Sequence, residues 1–402
     1  MAEVTNYIDR LVAELCPDGV EYRPLGDVVE YARKREKDGV GVHLYVGVEN
    51  LKSDFLGCSP VSGSKGGIIF QKDDILLGNI RPYLKKMWLS NTEGVSSPDV
   101  LVLRIQENEE RNILAKYLYY ILSLSKFVIY NISHSRGGKM PRGNKVKILE
   151  FEVPVPPMEI QEAIVEILDK FMNLETELEA ELEARILQYE YYRDSLFEAL
   201  DCPRVSLGDL GTFVRGNGLQ KKDLQESGNP VIHYGQVFTR YGLYEDKTLS
   251  YANDEVYNKL RKAEKGNLVI ATTSENDEDV CKALAWLGET PVGISGDAYI
   301  YRHEMSPKYV SYFFTTHDFQ RQKLRHITGT KVRRVSGKNL ETIEIPLPSL
   351  EEQQRIVDIL DRFDALTTSL FEGLPAELAA RRSQYEYYRD QLLSFPRKGE
   401  NQ

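Results

Sequence analysis

The heptapeptide Gln188-Tyr-Glu-Tyr-Tyr-Arg-Asp194 recurs letter for letter as Gln384-Tyr-Glu-Tyr-Tyr-Arg-Asp390. Upstream of it, Val153-Pro-Val-Pro-Pro-Met158, Gln161 and Ile164–Phe171 read against Ile345-Pro-Leu-Pro-Ser-Leu350, Gln353 and Ile356–Phe363. The offset is 192 at the start of this pair and 196 at the Tyr-rich end, so the second copy is four residues longer. A period near half the chain is far longer than a solenoid repeat and makes the chain two similar halves. The entry into each half repeats as well. Tyr7–Leu15 is an amphipathic helix running into Cys16-Pro, as Tyr192–Leu200 runs into Cys202-Pro, and Leu-Gly-Asp follows at 25–27 and 207–209. Because the N-terminal fragment also matches the C-terminal helix, the order of pieces is circular, as though the ends of the chain meet.

A chain of 402 residues, with 42% hydrophobic and 28% charged residues, has the composition and length of a multidomain globular protein. Neither a bilayer-length apolar run nor a signal-peptide pattern at Met1–Leu15 is present, and four scattered cysteines suggest reduced thiols; the expected location is cytoplasmic. The net charge of −10 is unevenly spread. Residues 158–200 carry 3 Lys/Arg against 12 Asp/Glu and residues 348–402 carry 7 against 10, whereas 1–157 (21 against 20) and 201–347 (20 against 19) are balanced. Overall charge therefore neither points to nucleic acid nor excludes it, and local clusters decide.

Five segments follow: a mixed domain with its N-terminal helix (1–157), a central helix (158–200), a second mixed domain (201–347), a C-terminal helix (348–395) and a fraying tail (396–402). In the first domain, short β runs at Leu44–Val48, Gly67–Phe70, Asp74–Leu77 and Val100–Ile105 precede a helical stretch at Asn112–Tyr130. In the second, Val231–Val237 and Leu268–Thr272 read as strands and Pro307–Arg325 as a helix. Just upstream of each long helix lies a glycine-containing basic loop. No acid falls between Glu110 and Glu150, or between Asp318 and Glu341. A surface loop accounts for either alone, but the same loop at the same place in both halves favours phosphate contact through backbone N–H groups and cationic side chains. The candidate phosphate-contacting residues are Arg81, Arg136, Lys139, Arg142 and Lys145 in the first half and Ser274, Lys331, Arg333, Arg334 and Lys338 in the second.

The central segment has an apolar stripe at Ile164, Leu168, Phe171, Leu174, Leu178, Leu182, Ile186, Tyr189, Leu196 and Leu200. The C-terminal one has Ile356, Leu360, Phe363, Leu370, Leu374, Leu378, Tyr385, Tyr388 and Leu392, with a kink or restart expected at Gly373 and Pro375. Helices this long need a partner along their length, so the expected fold is α+β: two mixed α/β domains joined by two long antiparallel helices in a coiled coil, with pseudo-two-fold symmetry. At the centre of the first helix, Glu177-Leu178-Glu-Ala and Glu181-Leu182-Glu-Ala form a tandem four-residue spacer repeat, which pulls the stripe off a strict heptad.

Catalytic motifs are lacking. Asn79-Ile-Arg-Pro-Tyr83 is not an Asn/Asp-Pro-Pro-aromatic corner, no Gly-x4-Gly-Lys-Ser/Thr occurs, and the six histidines are isolated. The two copies, the Pro-rich entries into both long helices, the Glu-x-x-Gln-x-x-Ile/Val helix starts, the basic loop Gly138–Lys145 and the stretches Ala271–Asn276 and Gly296–Ile300 together resemble the DNA-specificity subunit of type I restriction–modification systems. The resemblance covers nearly the whole chain. It implies two target recognition domains, each reading half of a bipartite, asymmetric site in double-stranded DNA, and a helical spacer. It also implies two methyltransferase subunits docked on the helices, with restriction subunits beyond them. This chain would hold no cofactor and no metal and would catalyse nothing, AdoMet being bound by the methyltransferase partner. The alternatives are a self-contained restriction or modification enzyme with fused recognition domains, and a coiled-coil scaffold that never touches DNA.

Overall fold

A computed structural model of the protein describes residues 2–367 and 373–399. Two compact units divide it. The first comprises residues 1–178 and 378–402, the second residues 179–377. The cut runs through both long helices rather than at their ends, so each unit owns one mixed domain and half of each helix.

The two units are built on one plan. In the first, a sheet contains Val29–Tyr31, Val100–Ile105, Ile75–Gly78 and Met87–Leu89 in that order; in the second, Gly211–Arg215, Ala298–His303, Leu268–Ala271 and Lys282–Trp286 stand in the same order, with Tyr244–Glu245 added at the edge. Registers agree residue for residue: Tyr31 faces Leu103 as Phe213 faces Tyr301, and Gly78 faces Val100 as Ala271 faces Ala298. A further sheet in each unit holds one parallel pair, His43–Val46 with Gly94–Ser96 and Asn229–Ile232 with Val292–Ile294. Sheets of Val, Leu, Ile and Tyr pack against the helical layer, with Tyr117, Leu118 and Phe127 buried in the first unit and Tyr309, Phe313 and Phe319 in the second.

The long helix Met158–Glu198 is unbroken, and its start is fixed by a buried glutamine. Gln161 accepts from Leu114 N–H at 2.9 Å and donates to Pro156 O at 2.7 Å; Gln353 accepts from Ser306 N–H at 2.9 Å and donates to Pro348 O at 3.0 Å. One turn into the apolar run, Asp169 receives Tyr120 Oη at 2.6 Å and Lys116 Nζ at 2.7 Å, and Asp361 receives Tyr312 Oη and Lys308 Nζ, both at 2.7 Å. The repeated heptapeptide closes the pattern. Tyr388 stacks on Phe171 at 5.7 Å and Tyr192 on Phe363 at 5.5 Å, while Arg389 and Arg193 each lie 5.7 Å from the ring of Tyr385 or Tyr189. In the first unit the helices run antiparallel, since Phe171 meets Tyr385 and Tyr388 whereas Glu175 meets Arg382.

Several sequence readings need correction. Leu174 and Ile186 are 47% and 39% exposed. A heptad run of 164, 168, 171, 175, 178, 182, 185 and 189 places Glu175 and Arg185 on the seam instead, each one residue, or about 100°, away from the leucine or isoleucine. Glu175 sits there because Arg382 pairs with it at 2.6 Å. The stretch Val231–Val237 is not all strand: Asn229–Ile232 ends at His233, whose ring accepts from Gly235 N–H and caps a helix at Tyr234–Thr239. The expected single helices at 112–130 and 307–325 are each two, broken at Leu124 and before Thr316. The C-terminal segment comprises two helices, Leu350–Thr367 and Gly373–Leu392, the second beginning at the Gly373 and Pro375 where the sequence reading sets a kink or restart. Gly373 has φ +80° and a Cβ there would stand 2.6 Å from Leu366 O, which is why glycine marks the restart; Pro375 then falls in a first turn that has no use for its missing N–H. Leu370 lies outside the described residues.

The tail does not fray over 396–398. Val20 N–H donates to Pro396 O at 2.8 Å and Lys398 N–H to Val20 O at 3.0 Å, and Arg397 covers the ring of Tyr22 at 4.4 Å and pairs with Glu152. The chain ends do meet, as the circular order of pieces implies.

Candidate nucleic-acid interface

Each basic loop is a tight hairpin. In the first unit Arg136 and Arg142 exchange backbone N–H···O bonds of 2.9 and 2.8 Å; in the second Thr328 and Arg334 do so at 2.9 Å both ways. Gly137 (φ +108°) and Gly329 (φ +93°) turn the chain, and a Cβ at Gly329 would collide with Val332 O at 2.1 Å. Lys139 and Lys331 occupy equivalent exposed positions near the tips. Each hairpin leads into a short capped helix, Lys145–Leu149 behind Asn144 and Gly337–Glu341 behind Ser336. Lys145 and Lys338 are exposed in its first turn.

Both hairpins lie against the segment that leaves the central strand. Arg81 N–H donates to Pro141 O at 2.7 Å, and Gly143 N–H to Asn79 O at 3.1 Å. In the second unit Thr273–Ser274 pairs antiparallel with Arg333–Arg334, and Val335 N–H donates to Thr272 O at 3.2 Å. Arg81 and Ser274 are thus structural counterparts, and the ten candidate residues form two clusters of five, one per unit. Arg81 is held in the left-handed region (φ +52°), at an expected cost of about 1 kcal/mol or more. Its Nε is buried without a partner, as are Oδ1 of Asn79 and of Asn131, and a Cβ at Gly143 would stand within 2.9 Å of both amide oxygens.

An aspartate at the start of the next strand occupies the same place in each unit. Asp99 and Asp297 are equivalent, since their carbonyls accept from Asn79 N–H (2.9 Å) and Thr272 N–H (3.1 Å). They choose different arginines. Asp99 pairs with Arg142 of the hairpin at 3.0 Å; Asp297 pairs with Arg215 at the sheet edge at 3.7 Å and accepts a 3.4 Å bond from Thr273 Oγ1. The strand register makes Arg33 the counterpart of Arg215. Among the described residues, Arg33 and Arg334 have no ion-pair partner. Both aspartate pairs are exposed and each is worth less than about 1 kcal/mol, so they bias the arginines without locking them.

Arg33 and Arg35 escaped the sequence reading, although Arg33-Lys-Arg35 is visible as a basic run. The second unit differs again at Asp277, which pairs with Arg333 at 2.8 Å within the acidic stretch Glu275–Asp279. That stretch is held from below by Lys323, which is fully buried and donates to Glu278 O at 2.9 Å and Val280 O at 3.0 Å. Burial pushes the Lys323 ammonium below the ordinary lysine range, with Asp277, Glu278 and Asp279 among the groups opposing the shift. The spacer-repeat residues lie on the unbroken helix, where Leu178 and Leu182 are half-buried and Glu181 pairs with Arg185 at 2.7 Å.

The sequence matches the family described as type I restriction modification DNA specificity domain twice, over residues 17–188 and 201–380. A specificity subunit of a type I restriction enzyme of Escherichia coli is 30% identical over 419 residues, covering 98% of both chains. Among solved structures, a chain from a study of type I restriction–modification assembly and conformational transition superposes with a TM-score of 0.65 at 16% identity, covering 93% of this chain and 97% of that one. The type I S subunit of M. genitalium gives 0.51 at 14%, covering 93% and 96%. Two family domains, in tandem and each carrying a basic hairpin beside its sheet, place this chain in the type I restriction–modification DNA-specificity subunits, the sequence-specific DNA-recognition component of those systems.

Proposed function

We propose that each unit reads one half of a bipartite, asymmetric site in double-stranded DNA, and that the chain itself is not catalytic. The observation that carries this reading is the pair of hairpins at one place in two copies of one scaffold, with different letters on each: equal position gives two half-sites, and different side chains give different sequences. Two methyltransferase subunits would dock on the acidic helices and supply AdoMet, with restriction subunits joining in the full complex in the cytoplasm. The alternatives fare less well. A self-contained enzyme would need catalytic motifs that the sequence does not display, and a scaffold without DNA has no use for two solvent-facing basic hairpins.

Co-expression with the methyltransferase subunit, followed by sequencing of modified adenines, tests this. The expected motif has two specified parts and an unspecified gap, and exchanging residues 136–145 for another hairpin alters one part only. One contiguous motif, or methylation by the chain alone, overturns it. Deleting Glu181–Ala184 removes about 6 Å of helix and should shorten the gap by roughly one or two base pairs without changing either half-site. An unchanged gap in an active deletion variant would remove the spacer role.

A further inference from the structure

Between Tyr31 and Glu36 the chain crosses from one sheet to the other. Ala32 N–H still donates to Val102 O in the first sheet at 2.9 Å, while Lys34 O already accepts from Ile69 N–H in the second at 2.9 Å. Extended backbone alternates its side chains, so Tyr31, Arg33 and Arg35 share a face and Ala32 turns inward to burial. That face opens on a cleft whose floor is Ile68 and Leu101 and whose far wall is Lys145, the first residue after the hairpin's helix cap. Tyr31 Oη donates to Lys145 O at 2.9 Å and ties the two walls together. Three cations therefore line the cleft, and no Asp or Glu is among its lining residues. In the second unit the same register is closed. Arg215 donates to Gly296 O at 2.8 Å, Arg261 donates to Arg215 O at 2.6 Å, and Asn217, in the place of Arg35, bonds Lys259 O and Arg261 N–H.

We propose that this cleft is a second DNA-backbone contact of the first unit, in which Arg33, Arg35 and Lys145 bind phosphates flanking those met by the hairpin, and that the second unit has no equivalent. The inference rests on the DNA-reading role of the units. Because Asp99 is engaged by Arg142, the strand-edge arginines of the first unit remain free for phosphate. Cations over an apolar floor suit a sugar–phosphate strand laid along the cleft.

The test uses the full chain with its methyltransferase subunit and a labelled 30-base-pair duplex of mixed sequence, with affinity measured from low to high salt. Arg33→Gln/Arg35→Gln should weaken binding roughly tenfold or more at 0.1 M salt and reduce the log–log salt slope by about two, near 0.9 for each phosphate no longer neutralised. Lys145→Gln should reduce it by about one, Arg33→Lys/Arg35→Lys should preserve it, and Arg215→Gln should leave it nearly unchanged. A wild-type slope in Arg33→Gln/Arg35→Gln and in Lys145→Gln overturns the cleft while leaving the hairpin reading intact. Failure of the wild-type complex to bind duplex at any salt sinks the DNA-reading role itself.

Discussion

Asp99 and Asp297 occupy one position in two copies of a fold and make opposite choices. In the first unit the aspartate holds the hairpin arginine and leaves the sheet-edge arginine open. In the second it holds the sheet edge, and Arg334 on the hairpin stays unpaired. Around this divergent surface the scaffold barely changes: the clamps of Gln161 and Gln353 and of Asp169 and Asp361 keep the same partners at distances within about 0.3 Å. Buried polar groups resist change because an orphaned donor or acceptor costs free energy, whereas an exposed ion pair can be re-partnered for almost nothing. A duplicated reader can therefore acquire two specificities on one frame.

The largest expected asymmetry is beneath the hairpins. Lys323 stands where the first unit has Asn131. Lys323→Ala orphans two carbonyls and empties a buried stem, so it should destabilise the second unit by about 4 kcal/mol; Asn131→Ala, whose Oδ1 already lacks a partner, should cost about 1 kcal/mol. The chain has two tryptophans, Trp88 in the first unit and Trp286 in the second, so fluorescence of Trp88→Phe and Trp286→Phe backgrounds resolves each unit's unfolding. Equal losses in the two units would break the distinction.

Next comes acid. Burial holds His303 at about 4, against an ordinary value of 6.5, where the first unit has Ile105. Between those values the unfolded chain takes up a proton that the folded unit refuses. Stability contributed by neutral His303 is thus complete above pH 6.5 and lost as pH falls toward 4, by up to about 3 kcal/mol. The second unit should melt first on acidification, and His303→Ile should bring its acid response to that of the first. Melting curves of the Trp88→Phe protein at pH 7 and 4.5 measure this.

The shared frame predicts symmetry instead. Asp169→Ala and Asp361→Ala each remove an acceptor for one Tyr hydroxyl and one Lys ammonium. Each should destabilise its own unit by about 2 kcal/mol, and a difference larger than about 1 kcal/mol would show that the frames have diverged too.

Much of this frame was legible in the letters. Gln161 with Gln353 and Asp169 with Asp361 stand at one offset of 192 and the identical heptapeptides at 196, because the four-residue difference falls between these clamps and leaves the partners of each intact. The basic hairpins were legible for the same reason. The sheet-edge cleft was not. Arg33 and Arg215 differ by 182 positions, Asp99 and Asp297 by 198, and only strand pairing reveals them as equivalent. The misplaced helix stripe has another cause: apolarity at Leu174 and Ile186 outvoted the heptad, whereas the seam there is filled by charged Glu175 and Arg185. Breaks at Leu124 and Thr316 depend on tertiary packing, which periodicity alone does not encode.

The smallest effect probes the aspartates themselves. Asp297→Asn removes the charge that holds Arg215, and Asp99→Asn removes the charge that holds Arg142. If the exposed pairs only bias which arginine is free, each substitution adds one available cation and removes one repulsive carboxylate near the phosphates. Binding to mixed-sequence duplex should tighten by roughly threefold at 0.1 M salt and the salt slope should steepen by up to about 0.9. The arginine responsible differs: adding Arg215→Gln should cancel the gain from Asp297→Asn, and adding Arg142→Gln the gain from Asp99→Asn. Arg33→Gln should leave the Asp99→Asn gain intact, because Arg33 was never held. A double-mutant cycle over these pairs gives the coupling directly. If Arg215→Gln leaves the Asp297→Asn gain untouched, that carboxylate acts on DNA by repulsion alone, and the opposite choices of the two aspartates carry no meaning for binding.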